Sequence, residues 1–124
     1  MLFHVEFFET EDGRIPVKDF LDSLDPKLSV KMIGLMEILE ERGTSLREPY
    51  SKALEEGIFE LRAIQSSNIC RALYFFYVEG HIIVTHGFVK KTQKTPRSQI
   101  ELAKKYRADY LKRHLSEQPD KKRR

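Results

Sequence analysis

The chain has 124 residues, of which 40% are hydrophobic and 33% are charged. This length suits one compact domain with a single core, and the composition is that of a soluble globular protein rather than a disordered or membrane protein. No apolar run reaches the roughly 18 residues that a membrane span needs. The N-terminus has no basic leader, so we expect a cytoplasmic protein.

Charge is distributed unevenly along the chain. Residues 1–58 carry 7 Lys and Arg against 13 Asp and Glu, whereas residues 85–124 carry 13 against 4. The formal net charge of +3 therefore conceals an acidic first half and a strongly basic last third. The basic third favours a polyanionic partner, with nucleic acid the first candidate, although a solvated basic helix and tail would have the same composition.

The first part of the chain predicts a strand and two amphipathic helices. Alternating hydrophobicity over residues 2–8 indicates the strand. Pro16 suits a first helical position, and the apolar residues after it recur at i, i+3, i+4 and i+7. Asp25 and Pro26 begin a second, longer helix, which Gly43 ends.

Three antiparallel strands and a helix are predicted next. Residues 44–56 have no sustained periodicity and predict a connection. Residues 59–89 contain three runs with strand alternation, separated by the turn-forming sequences SSN and EG. Thr95 and Pro96 are suited to the cap and first position of a final helix that runs to about His114.

The predicted order is β-α-α-β-β-β-α, which is an α+β fold. We expect a small antiparallel sheet with a mixed edge, the two N-terminal helices packed on one of its faces, and a C-terminal helix. Residues 1–115 form the single predicted domain. Residues 116–124 are expected to be a basic, disordered tail because they are too polar to pack.

Two arginines lie in neighbouring predicted strands, each between apolar residues. Because the turn between the strands centres near residues 66–67, Arg62 and Arg71 should reach one patch of the sheet. Adjacent cations repel unless an anion lies between them, and phosphate matches the planar donor geometry of arginine. The alternatives are an ion pair with Glu60 or Glu79, or an arginine that extends to solvent at the sheet edge.

A second basic cluster follows the last predicted strand. It comprises Lys90, Lys91 and Lys94, with Arg97 just inside the final helix. Exposed backbone amides and the helix dipole favour an anion at such a position. The alternative is a solvated basic turn.

Motifs for several other kinds of site are missing from the sequence. His81 and His86 should face opposite ways on a strand, and no cluster of Asp, Glu, His and Cys has ligand spacing, so we predict no metal and no cofactor. Cys70 is predicted to be a small core residue. Cations and a weak base suffice to cleave RNA, whose own 2′-OH is the nucleophile, and the same residues could merely bind RNA.

Three segments resemble a known family of toxins: GIFELR (57–62), RALYFF (71–76) and HGFVKKTQKTPRSQIELAKK (86–105). On these segments the chain resembles the RelE/ParE superfamily of toxins from bacterial and phage toxin–antitoxin pairs. It is most similar to the HigB-like, phage-derived branch, and the resemblance extends to about His114. It implies a RelE-like fold and a metal-independent mRNA interferase that enters the ribosomal A site and cleaves bound mRNA.

The resemblance also implies roles for individual cations. Arg62 and Arg71 match the strand arginines that hold and polarise the scissile phosphate. The catalytic basic cluster beside that phosphate is matched by Lys90, Lys91 and Lys94.

Two further cations complete the expected site, and one aromatic residue is left out of it. Lys52 falls in the loop that often supplies another cation in such toxins, and Arg97 is expected to contact RNA. Tyr74 matches an aromatic position but suits the core equally well. This chain departs from the best-known branch because no Tyr or His follows the KK pair as an acid or base.

The resemblance implies an antitoxin partner as well. This would be a cognate helix-turn-helix protein that neutralises the toxin in a hetero-oligomer. Two other functions stay open at this point. One is a ParE-like inhibitor of DNA gyrase, or an inactive relative that pairs with an antitoxin, and the other is a non-catalytic basic module that binds RNA or the ribosome.

Overall fold

A computed structural model describes residues 2–66, 68–91 and 93–116. Ser67 of the predicted SSN turn and residues 117–124 of the predicted tail lie outside the described residues, and Ser116 is the last residue of a helix. The helices are α1 (Pro16–Ser23), α2 (Pro26–Arg42) and α3 (Arg97–Ser116). The strands are β1 (His4–Phe7), β2 (Ser51–Glu55), β3 (Ile58–Gln65), β4 (Asn68–Tyr77) and β5 (His81–Lys90).

The two N-terminal helices begin where the sequence predicts. α1 starts at Pro16, and the Asp25 carboxylate caps α2 by accepting a hydrogen bond of 2.8 Å from the Lys27 amide. α2 ends before Gly43, whose φ of 54° is a conformation that favours glycine. α3 begins at Arg97, one residue later than predicted, because the Pro96 carbonyl accepts the first helical hydrogen bonds.

The strands of the described chain form one mixed sheet in the order β1-β5-β4-β3-β2. β1 is parallel to β5 at one edge and the other pairs are antiparallel, which confirms the predicted sheet. β2 was not predicted, because residues 51–55 fall in the segment assigned to a connection. The register of β2 against β3 is irregular between Ala53 and Glu55, and this interrupts the alternation by which a strand is recognised.

Helices cover both faces of the sheet. The α+β arrangement with α1 and α2 on one face is confirmed, and α3 crosses the opposite face. The first core includes Val17, Met32, Leu39, Leu61, Ala72 and Val84. The second core includes Ile58, Leu73, Phe75, Ile83, Ala103 and Tyr110.

Glutamate–glycine pairs form the turns that precede β3 and follow β4. Glu56 and Gly57 have φ of 49° and 79°, the left-handed geometry of a two-residue type I′ turn between β2 and β3. Glu79 and Gly80 have φ of 60° and 79° between β4 and β5. A Cβ atom on Gly80 would lie 2.3 Å from the Leu2 carbonyl oxygen, so this turn requires glycine.

Candidate functional site

Arg62 on β3 and Arg71 on β4 are direct cross-strand partners, as the predicted turn requires. Phe88 on β5 is the cross-strand partner of Arg71 on the other side and packs in the core beneath α3. Since cross-strand partners lie on the same face of a sheet, both arginines lie on the α3 face. Their exposure differs, because the Arg71 side chain is fully buried and the Arg62 side chain is 11% exposed. Arg62 is therefore the member of the pair that solvent reaches.

The anion between the two guanidinium groups is the carboxylate of Glu60. It lies 3.3 Å from Nη1 of Arg71 and 3.4 Å from Nε of Arg62. The Thr95 hydroxyl donates to the same carboxylate at 2.6 Å and accepts from Arg71 at 3.1 Å. Of the alternatives left open by the sequence, the ion pair with Glu60 is the one that forms here. This buried network joins β3, β4 and the segment before α3.

Gln93 covers the arginine pair from the segment between β5 and α3. Its carbonyl oxygen accepts from Arg62 at 3.4 Å and from Arg71 at 3.3 Å. Its side-chain oxygen is a further 3.4 Å partner of Arg62. The arginines therefore fix the path of this segment in addition to carrying charge.

Three of the predicted cations line one groove at the start of α3. They are Lys52, Lys94 and Arg97, and we call this cavity of about 500 Å³ the basic groove. Lys52 reaches it from β2, where it lies opposite Glu60. Gln93 also lines the groove. Because Arg62 contacts Gln93, the basic groove adjoins the arginine pair.

Lys90 and Lys91 occupy a different position from Lys94. Both are exposed at the end of β5, where Lys90 lies opposite Ile69. Among the described residues, they are not part of the lining of the basic groove. Lys90 lies two residues after Phe88 and therefore on the face that carries Arg71. The sheet order puts it on the β5 side of the arginine pair and Lys52 on the β2 side.

Carboxylates hold Arg97 in the wall of the basic groove. Arg97 makes a bidentate pair with Glu55, one bond of which is 2.7 Å, and contacts Glu101 at 2.5 Å. Lys104 contacts both Glu55 and Glu56. Arg97, and then Lys104, lower the pKa of Glu55 to about 2. The hydrogen bonds that Arg97 donates to Glu55 and Glu101 in turn raise the pKa of Arg97.

The Glu55 pairs should make the fold sensitive to acid. A carboxylate whose pKa is lowered by folding contributes stability above its ordinary pKa of 4.5, and this contribution is lost as the pH falls towards about 2. Over that range the free energy of unfolding should fall more steeply for the wild type than for Glu55→Gln. Urea denaturation at a series of pH values measures both slopes. Equal slopes would contradict the pairing.

His86 is buried on the α3 face, and both of its ring nitrogens have partners. Nδ1 lies 3.0 Å from the Thr85 hydroxyl and Nε2 lies 2.8 Å from the Gln99 side-chain oxygen. Burial lowers the pKa of His86, which favours the neutral form of the ring. Within residues 2–66, 68–91 and 93–116, no group of three His, Cys, Asp or Glu side chains could hold a metal ion.

Cys70 and Tyr74 both belong to the core. Burial raises the pKa of the Cys70 thiol to about 12, in agreement with its predicted role as a small core residue. Tyr74 is 1% exposed and stacks on Phe59 with 5.5 Å between ring centroids. Its hydroxyl lies 2.5 Å from that of Ser51, which ties β4 to β2.

Replacing Tyr74 with Phe should reduce stability without changing activity. The ring contacts remain, but the Ser51 hydroxyl loses a buried partner, which costs about 1–3 kcal/mol. Urea denaturation measures the loss. Tyr50→Phe is the matched control, because Tyr50 is half exposed and this change should stay within about 0.5 kcal/mol. A Tyr74→Phe variant with wild-type stability would show that the hydrogen bond contributes nothing.

A comparison with family models identifies the relatives of the chain. Residues 19–108 match the family described as Phage derived protein Gp49-like (DUF891). The chain belongs to the Gp49-like family. This phage-derived family is RelE-like and toxin-like, which agrees with the resemblance in the sequence. The match extends from α1 into α3 and so includes the arginine pair and the basic groove.

Two further findings concern the chain. No curated protein matches the sequence. Among the described residues, none of the helices has the length and apolar character needed to cross a membrane.

Proposed function

We propose that the protein is the toxin of a type II toxin–antitoxin pair, in the HigB-like branch, and that it cleaves mRNA on the ribosome. The observation that carries the proposal is the position of Arg62, which is partly exposed between the buried Glu60 network and the basic groove. Membership of a toxin-like family supports the toxin role. The basic last third of the chain supports RNA as the substrate.

The proposed reaction uses the 2′-hydroxyl of the RNA as its nucleophile. This oxygen attacks the adjacent phosphorus, the bond to the 5′ oxygen breaks, and the products are a 2′,3′-cyclic phosphate and a 5′-hydroxyl. A base takes the proton of the 2′-hydroxyl and the leaving oxygen receives one, so the step is balanced. Negative charge grows on the phosphoryl oxygens during the attack, and Arg62, Lys52 and Lys94 would stabilise it.

The other predicted cations have supporting roles in this proposal. Arg71 is buried, so it acts through its charge and by holding Glu60 and Gln93 in place. Lys90 and Lys91 contact the RNA backbone from the β5 side. Arg97 contributes from the wall of the basic groove, where Glu55 fixes its position.

The proposed role as a toxin that cleaves mRNA also implies its partners. A cognate helix-turn-helix antitoxin neutralises the protein in a hetero-oligomer, and the substrate is mRNA bound to the ribosome. These partners make the cytoplasm the expected location.

Primer extension on mRNA from a translating extract tests the proposal. The wild type should cut ribosome-bound mRNA, and Arg62→Ala/Arg71→Ala should not. Lys27→Ala, an exposed change at the start of α2, should cut like the wild type. Undiminished cleavage by the double variant would reject the site.

Failure of the wild type to cut would reject the enzyme. Inhibition of DNA supercoiling would then favour a ParE-like gyrase inhibitor. Salt-dependent RNA binding without growth arrest would favour a basic binding module.

A further inference from the structure

A cavity between α2 and β3 has the features of a site for a nucleobase. Its volume is about 310 Å³, and its lining includes Lys31, Ile38, Tyr50, Arg62 and Ile64. This volume is at the small end of the range of about 300–1,000 Å³ for ligand sites. We call it the Tyr50 pocket.

The walls of the Tyr50 pocket are apolar and partly exposed. Tyr50 and Ile64 are each 50% exposed and Ile38 is 36% exposed. The backbone of Tyr50 is fixed, because its carbonyl oxygen accepts a hydrogen bond of 2.9 Å from the Arg62 amide. An exposed aromatic ring beside aliphatic side chains is a surface on which unpaired bases stack.

Cations lie beside this apolar surface. Lys31 extends from α2 and donates a hydrogen bond of 2.5 Å to the Ile64 carbonyl, which holds its positive charge at the pocket. Arg62 lines the pocket, and its guanidinium contacts Gln93 of the basic groove. Lys52 follows Tyr50 by two residues and lines the groove. A base in the pocket and a phosphate at the groove can therefore belong to the same short stretch of RNA.

Charge distinguishes this pocket from the apolar groove on the other side of α2. That groove has a volume of about 380 Å³ and includes Phe7 and Ile33, but Glu37 and Glu40 also line it. Carboxylates repel phosphate, so RNA is disfavoured there. The cations of the Tyr50 pocket have the opposite effect.

We infer that the Tyr50 pocket binds one unpaired base of the RNA substrate. Tyr50 stacks on the base and Lys31 attracts the phosphate on the α2 side, while Arg62, whose guanidinium lies across the sheet edge on the α3 face, attracts the phosphate on the other side. The inference rests on the proposed function, because it takes RNA as the ligand. It adds a base-binding site to a surface that otherwise contacts only the backbone.

A tryptophan probe tests the stacking directly. The chain contains no tryptophan, so Tyr50→Trp introduces a single indole fluorophore. A mixed-sequence, single-stranded oligoribonucleotide should quench its emission in a saturable way, and an abasic oligomer with the same backbone should not. Phe7→Trp in the groove that Glu37 and Glu40 line is the matched control, and its emission should not change with either ligand.

Binding affinities measured by fluorescence anisotropy provide the second test. Tyr50→Ala should weaken binding of the oligoribonucleotide by about 5- to 150-fold, the effect of losing one base–aromatic stack. Tyr50→Phe should bind like the wild type, and Tyr50→Ala should bind the abasic oligomer like the wild type. This last comparison separates stacking from a general loss of structure.

The outcomes separate this inference from the proposed function. If the wild type binds the oligoribonucleotide and Tyr50→Ala binds it equally well, the base site is wrong while RNA remains the ligand. The apolar lining would then fit a side chain of a protein partner better. If the wild type binds no oligoribonucleotide, the base site is overturned, and primer extension on ribosome-bound mRNA then decides separately whether RNA is the substrate.

Discussion

Glu60→Ala is expected to lower the free energy of unfolding by about 3–5 kcal/mol, the cost of breaking a buried ion pair by removing one partner. The change leaves the guanidinium groups of Arg62 and Arg71 opposite each other without the carboxylate between them. Thr95 loses its acceptor in the same step. Urea denaturation monitored by circular dichroism measures the effect.

Two variants make this result specific to the carboxylate. Glu60→Gln keeps the size of the side chain and removes its charge, so its loss of stability should be smaller than that of Glu60→Ala. Glu41→Ala changes an exposed glutamate on α2 and should stay within about 0.5 kcal/mol of the wild type. A Glu60→Ala variant as stable as Glu41→Ala would contradict the buried network.

Arg62→Ala is expected to slow RNA cleavage by about 100- to 1,000-fold, as when one donor that stabilises developing charge is removed from an active site. The free energy of unfolding should fall by less than it does in Glu60→Ala, because Glu60 keeps Arg71 and Thr95 as partners. Single-turnover cleavage of ribosome-bound mRNA measures the rate, and thermal unfolding measures the stability.

Matched variants separate the charge of Arg62 from its shape. Arg62→Lys keeps the charge without the planar donor group, so it should recover only part of the rate. Arg14→Ala removes an exposed arginine from the turn between β1 and α1 and should leave the rate unchanged. A wild-type rate in Arg62→Ala would remove this residue from the proposed mechanism.

Local signals in the sequence were enough to predict most of the fold. Pro16, Asp25 and Gly43 define helix ends through backbone geometry that depends on single residues. Regular alternation predicted β3, β4 and β5, and from their turn it predicted the pairing of Arg62 with Arg71. These features depend on neighbours in the sequence, which is why the sequence alone reveals them.

Features that depend on distant contacts were missed. β2 is a short edge strand with irregular register, so Lys52 was assigned to a loop. Thr95 was interpreted as a helix cap, but its hydroxyl bonds to Glu60, which is 35 residues away in the chain. The choice between Glu60 and an external anion depends on how the segment before α3 covers the arginines. No local pattern in the sequence predicts the course of this segment over the arginines.

Cleavage of a ribosome-bound mRNA with a single 2′-deoxy nucleotide at the scissile position is the most direct test of the central proposal. The wild-type protein should cut the unmodified mRNA to give a 2′,3′-cyclic phosphate and a 5′-hydroxyl, and should leave the deoxy substrate intact at that position. Cleavage of the deoxy substrate there, or no cleavage of either mRNA, would contradict the account.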